Sequence, residues 1–291
     1  MTVLEVIQRS TEFLANKGVE SARLQSELLL AHALKMPRMK LYLNFERTLT
    51  PAELAATREL VKRRSQREPL QHITSSTSFC GLEISVSKHV LVPRPETELL
   101  AELGWEWLES TLQRASEQPK GWTPTALDFG TGSGCIAIAL AVKCAAAQIT
   151  ALDVSPDALA VARQNAASHN ANGRIQFFQG DGFAALPDKI QFDIIISNPP
   201  YIASAEITTL QTEVRDYDPR AALDGGADGL DFYRRLAREA GDFLKPGGKL
   251  MAEFGDGQAE AIRQIFEREK WVVEAITTDY SHRARILTAR K

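Results

Sequence analysis

From Thr125 to Lys291, short apolar runs alternate with amphipathic stretches, and that alternation is the most regular feature of the chain. "TALDFG", "QITALDV", "RIQFFQ", "FDIIIS" and "GKLMAEF" carry apolar residues at nearly consecutive positions. Such runs mark strands covered on both faces. Between them "GCIAIALAVKCA", "SPDALAVARQNAASHN", "DGLDFYRRLAREAGDFL" and residues 258–269 read as helices, and "WVVEAI" and "RARILTAR" as two closing strands. Ser155 stands where a helix cap is needed, with Pro156 in the first turn. The pattern predicts an α/β domain built on a mostly parallel seven-stranded sheet.

The first third follows another rule. "ESARLQSELLLAHALK" places Leu24, Leu28, Ala31 and Leu34 at helical spacing, and "TPAEL" opens a second helix with Thr50 and Glu53 as a capping box. That helix ends in "VKRRSQREP", where Lys62, Arg63, Arg64 and Arg67 form a basic cluster that is either an exposed face or a docking surface. In "FCGLEISVSKHVLV", Leu82, Ile84 and Val86 alternate and "HVLV" offers a second run, which predicts a hairpin. "PRPETE" then opens a helix through Trp107, and "SEQPKGWTP" (116–124) reads as a boundary loop. The expected organisation is a helical domain over 1–73, a β-hairpin linker over 74–94 and an α/β domain over 95–291.

Charge adds a mild asymmetry. Residues 1–94 hold 14 Lys/Arg against 9 Asp/Glu, a net of +5, while residues 95–291 hold 20 against 28, a net of −8. The first third could therefore favour an acidic or nucleic-acid partner, whereas the rest gives no sign of a phosphate-tracking groove. Cys80, Cys135 and Cys144 form no C-x-x-C pair and the five histidines lack ligand spacing, so no disulfide framework or metal site is expected. Glu5 interrupts what would be the apolar core of a leader, and "CIAIALAV" is too short to cross a bilayer, so a cytoplasmic protein with no membrane association is expected.

Ligands of open parallel sheets bind beyond the carboxyl ends of the strands, which selects four loops. In "LDFGTGSGC", Gly130, Thr131, Gly132, Ser133 and Gly134 form a turn whose backbone can approach a ligand closely; NAD, FAD and S-adenosylmethionine all use such turns. Asp153 ends the next strand, where a carboxylate can accept both hydroxyls of a ribose. Asp181 ends the third, beside Gly182, and could accept from an exocyclic adenine amine or simply shape a turn. The fourth loop is "NPPY". Pro199 and Pro200 contribute carbonyls and no N–H donors, Asn198 adds a side-chain carbonyl, and Tyr201 offers a flat surface. Two rigid acceptors side by side suit a planar –NH2 group with two protons to donate.

Taken together, "DFGTGSG", Asp153 and "NPPY" resemble the class I S-adenosylmethionine-dependent methyltransferases acting on planar nitrogens. With "LVPRPETE", "DPRAALDGGADGLDFYRRL", "EFGDGQ" and a preceding helical domain, the chain resembles the release-factor glutamine methyltransferases, the PrmC/HemK family. The resemblance implies a Rossmann-like class I fold, S-adenosyl-L-methionine as cofactor, and methylation of N5 of the glutamine in the Gly-Gly-Gln motif of class I peptide-chain release factors. It implies catalytic roles for Asn198, Pro199 and Tyr201. Cofactor contacts are implied for Gly130, Thr131, Gly132, Ser133, Gly134, Asp153, Asp181, Gly182 and Asn198. Substrate contacts are implied for Asn198, Pro199, Pro200, Tyr201, Arg94 and Glu96. Gly182 departs from the family pattern, in which a large residue often stands after this aspartate, so the adenine wall is expected to be built differently. The helical domain would recognise the release factor, and a monomer with no stable nucleic-acid complex is expected. The alternative is a nucleic-acid amine methyltransferase acting on rRNA guanine N2 or DNA adenine N6, which would call for a recognition insert or a strongly basic cleft. A dehydrogenase or a non-catalytic nucleotide-binding module would leave Asn198–Tyr201 unexplained.

Overall fold

A computed structural model describes residues 1–113 and 122–291; most of the expected boundary loop, residues 116–121, lies outside the described residues. The chain forms two compact units, one of Met1–Ser76 with Gln211–Tyr217, the other of Thr77–Leu210 with Asp218–Lys291.

The first unit holds α1 (Val3–Asn16), α2 (Ala22–Ala33), α3 (Arg38–Tyr42), α4 (Pro51–Ser65) and α5 (Leu70–Thr74), and a single-turn helix from the inserted segment, Thr212–Arg215, which is α9 in chain order. Thr50 and Glu53 close the expected capping box on α4, and Thr2 and Glu5 build a second one on α1. Each box satisfies backbone donors that would otherwise go unpaired, worth about 1 kcal/mol. The buried face of α2 is rotated from the expected stripe. Leu29 and Leu30 are fully buried while Leu24 is exposed. The run "ELLLA" is apolar at successive positions, so periodicity alone leaves its phase open. Buried Glu27 then joins that face because Arg23, Arg38 and Tyr42 all bond its carboxylate.

The basic cluster on α4 resolves into internal pairs. Arg64 is buried and bonds Gln25, the Glu68 carbonyl and Glu213 Oε1 at 2.8 Å. Arg67 bonds both oxygens of Glu213, at 2.7 and 2.8 Å, and Arg63 pairs with Glu68. Lys62 is the exposed member. Burial would raise the Glu213 carboxyl, but the bonds from Arg67 and Arg64 outweigh it and hold the group below the usual carboxylate range.

In the second unit a hairpin joins β1 (Ser76–Phe79) to β2 (Leu82–Ser85). Its first strand lies upstream of the Cys80–Gly81 turn. Among the described residues "HVLV" pairs with no strand; Val90 instead packs into the core with Phe79, Ile84 and Val86. After the hairpin come α6 (Pro95–Gln113), β3 (Thr125–Phe129), α7 (Cys135–Lys143), β4 (Gln148–Asp153), α8 (Pro156–Ser168), β5 (Ile175–Gln179) and β6 (Phe192–Ser197). Following α9, the chain continues through α10 (Asp231–Glu239), β7 (Leu244–Glu253), α11 (Ala259–Arg268), β8 (Val272–Thr278) and β9 (Ala284–Arg290). The seven-stranded sheet runs β5-β4-β3-β6-β7-β9-β8, parallel except for β9, which is antiparallel to both neighbours. Strand order reverses between β3 and β6. α7 is apolar on every side, as a helix enclosed by core must be, and its residues 135–141 are all buried. α6 approaches β6 closely through Gly104, where a Cβ would come within 2.4 Å of Ile196 Cδ1. Among the described residues no helix is long and apolar enough to cross a membrane, and no group of three or more His, Cys, Asp or Glu could hold a metal ion.

Candidate active site

The reversal of strand order leaves a crevice at the carboxyl ends of β3 to β6. A cavity of about 230 Å³ opens there, lined by Gly130, Gly132, Asp153, Asp181, Gly182 and Pro200, with Phe129, Val154, Phe232 and Arg235 around them. The turn after β3 is braced from below. Burial pushes Asp128 up to about 7, while the Thr131 hydroxyl and the Ala137 N–H, donating to its Oδ2 at 2.6 and 3.0 Å, work in the other direction. The Thr131 side chain is therefore engaged inside the protein. Ser133 is also buried, its carbonyl accepting from Asn165. Gly134 caps α7 in a left-handed conformation.

Asp153 accepts from Gly132 N at 2.8 Å and from Ser155 N at 2.9 Å, one bond to each oxygen. Each oxygen keeps a lone pair for a diol. These features fit an adenosine-bearing cofactor: a backbone turn, a half-satisfied carboxylate at ribose position, and a slot beyond it. At that slot Asp181 pairs with Arg235 of α10. Phe183, the residue after Gly182, turns into the core between Phe129 and Phe243, its ring centroid 4.8 Å from each, while Arg235 lines the slot.

Asn198 follows the last residue of β6, and its Nδ2 donates to Thr97 Oγ1 at 2.9 Å. Among the described residues nothing donates to Asn198 Oδ1 or to the Pro199 carbonyl. Those are the two acceptors that the sequence singled out. The backbone beyond them is held from two sides. Ile202 exchanges bonds with the "LDG" segment, accepting from Gly225 and donating to Leu223, and Gln258 donates to the Tyr201 carbonyl at 2.9 Å. Burial pushes the Tyr201 phenol up to about 12, so it stays protonated at neutral pH and keeps a proton to donate. Arg94 turns to Asp218 at 2.7 Å, a buried carboxyl, while Glu96 is exposed at the start of α6.

Several residues of this site carried no signal by themselves. Glu253 ends β7 and is 2% exposed, and one of its carboxylate oxygens has no partner among the described residues. "EFGDGQ" was recognisable as a motif, yet only the fold shows that its Glu253 and Gln258 back the Asn198–Tyr201 turn. Arg235 looked like one more charge on an amphipathic helix.

An open parallel sheet closed by one antiparallel strand, with a carboxylate-walled cavity at its switch point and an Asn-Pro-Pro-Tyr turn beside it, defines a Rossmann-like class I methyltransferase domain. Comparison with known proteins agrees. The family model of the PrmC N-terminal domain matches residues 5–74, and that of the methyltransferase small domain matches residues 105–215. A release factor glutamine methyltransferase of Geobacter sulfurreducens is 48% identical over 267 residues, covering 92% of this chain and 89% of that protein. Its namesake from Chlorobaculum tepidum is 44% identical, covering 89% and 87%. A methyltransferase structure from Pyrococcus furiosus superposes with a TM-score of 0.51 at 22% identity, covering 78% of this chain and 98% of that one. The chain belongs to the release factor glutamine methyltransferase family.

Proposed function

We propose that this protein transfers a methyl group from S-adenosylmethionine to the side-chain N5 of the glutamine in the Gly-Gly-Gln motif of class I release factors. The names of its full-length relatives support the reaction, and one observation in the site carries it. Asn198 Oδ1 and the Pro199 carbonyl are two acceptors on a braced turn with no donor among the described residues to satisfy them. A carboxamide –NH2 supplies the matching pair of protons. Amide nitrogen is a weak nucleophile because its lone pair is delocalised. Accepting both N–H bonds returns electron density to nitrogen and holds it in one orientation, so positioning and fixed dipoles carry the rate. When bound, the cofactor supplies an electrophilic sulfonium methyl. Gly130, Gly132, Asp153, Asp181 and Gly182 would hold it, Tyr201 would wall the substrate amide, and Glu96 would meet the peptide.

The helical unit would recognise the release factor beyond the glutamine. It carries an apolar groove with Phe13 exposed and with Arg9, Arg58 and Lys62 at its edge. A cytoplasmic, monomeric enzyme is the accompanying expectation. A nucleic-acid amine as acceptor is not favoured, because the relatives that match nearly end to end bear the protein-methylating name.

Labelled-methyl transfer tests the reading, offering release factor, ribosomal RNA and DNA in parallel. Label should enter the release factor alone, and Asn198→Ala should lower its kcat about a hundredfold at saturating cofactor. Near-normal turnover by that variant would sink the assignment.

A further inference from the structure

We propose that Glu253, acting through Thr97, is a positioning residue that decides which end of the Asn198 side chain faces the substrate amide. The inference rests on the reading that Asn198 holds a carboxamide.

The parts come from three elements. Ser197 at the end of β6 pairs with Ala252 of β7, so Asn198 and Glu253 leave the sheet side by side. Thr97, 3% exposed, sits in the first turn of α6, and Gly104 two turns on lets that helix lie against Ile196 of β6. Asn198 Nδ2 donates to Thr97 Oγ1, which leaves the hydroxyl proton of Thr97 free to be donated onward. The Glu253 carboxyl lies beside both Thr97 and Asn198, close enough for their dipoles to act on it, and its Oε2 has no partner among the described residues. The backbone of Glu253 is itself pinned, its carbonyl accepting from the Tyr233 hydroxyl at 2.7 Å.

The physical point concerns polarity. The two ends of an asparagine amide have nearly the same shape but opposite hydrogen-bonding roles. A threonine hydroxyl cannot choose between them, because it donates or accepts equally well. An ionised carboxylate only accepts. With Glu253 at the end of the relay, hydrogen bonds run one way, from amide to hydroxyl to carboxylate, and Asn198 must turn its oxygen outward. The reversed amide would oppose the substrate –NH2 with another –NH2.

The relay weakens when Glu253 takes up a proton, since a carboxylic acid can also donate. Burial pushes its pKa up to about 7; the polar groups of Thr97 and Asn198 oppose that shift, Glu96 on α6 reinforces it, and Arg285 on β9 opposes it. Tyr201 and Tyr233 also face this carboxyl and stay neutral around pH 7. Arg285 is already held by Asp279. Activity should therefore fall as pH drops through about 7.

The test uses the full-length enzyme with intact release factor as acceptor, measuring kcat and KM between pH 5.5 and 9 with melting temperatures alongside. Glu253→Gln and Thr97→Val should each lower kcat about tenfold at pH 8 with little change in the KM for S-adenosylmethionine. Glu253→Gln should also lose the acid limb of the profile, and Thr97→Ser should recover most of the wild-type rate. A Glu253→Gln profile that superimposes on the wild type, or a Thr97→Val enzyme of unchanged kcat, overturns the proposal. Should Glu253→Gln fail to fold, the Thr97→Val and Thr97→Ser pair decides. Failure of the underlying reading would look different, because wild-type enzyme would then not label the release factor at any pH.

Discussion

The guanidinium of Arg235 fills the space that a side chain at Gly182 would need: a Cβ there would come within 2.0 Å of Arg235 Nη2. Gly182 also adopts φ 77° with ψ −162°, a region open essentially to glycine alone. Arg235 in turn donates to the Asp181 backbone carbonyl at 2.7 Å and pairs with its carboxylate. The small residue on the β5 loop and the large one on α10 thus occupy one slot together.

If Arg235 is the adenine wall, Arg235→Ala should weaken S-adenosylhomocysteine binding about tenfold, measured by calorimetry. That corresponds to one lost guanidinium–π face of about 1 kcal/mol plus a loosened Asp181. Gly182→Ala should lower stability by about 1–3 kcal/mol in thermal melts through backbone strain. Unchanged affinity in Arg235→Ala would move the wall elsewhere.

Glu213 is the counter-charge of buried Arg64 within the helical unit. Glu213→Ala should destabilise that unit by about 3 kcal/mol, because the guanidinium would remain buried without its anion. Hydrogen exchange along α4 would read the loss. A carboxyl held below its unfolded value stabilises the fold above that value and stops doing so as pH falls through the folded pKa. Wild-type protection of α4 should therefore decline below about pH 4.5, whereas Glu213→Gln, which lacks the titrating group, should not show that step. Full protection in Glu213→Ala would count against the pairing.

Asp218 shows the opposite sign. Burial pushes it up to about 6, and Arg94 opposes the rise. The ionised form is thus the costly one, and Arg94 offsets that cost only where Asp218 is charged. Arg94→Ala should lower the melting temperature more at pH 8 than at pH 5, by the equivalent of about 1–3 kcal/mol at the higher pH. An equal drop at both would mean that the arginine acts through packing alone.

All three thiols are free, and burial raises each of them, Cys80 and Cys135 to about 12. Thiolate is the reactive form. Native protein at pH 7.5 should resist iodoacetamide over an hour and take up three adducts once denatured, as mass spectrometry would show. Rapid labelling of the native chain would contradict the buried placement.

Much of this protein is written locally. The apolar run Phe192–Ser197 became β6 over those same residues, and Ser155 capped α8 as its side chain requires. Because a parallel sheet offers ligands only its strand ends, the sequence alone pointed to the ends of β3, β4, β5 and β6, where Gly130, Asp153, Asp181 and Asn198 stand. Burial phase and pairing belong to the other category. Leu29 rather than Leu24 faces the core of the helical unit, and β2 pairs backward with Ser76–Phe79 instead of forward with "HVLV". Arg64 finds its anion 149 residues away, and Thr97 meets Asn198 across 101. Periodicity, capping and turn chemistry act between near neighbours, so a sequence displays them directly. Which charge meets which, and which carboxyl is taken out of water, depends on elements that only the finished packing brings into reach.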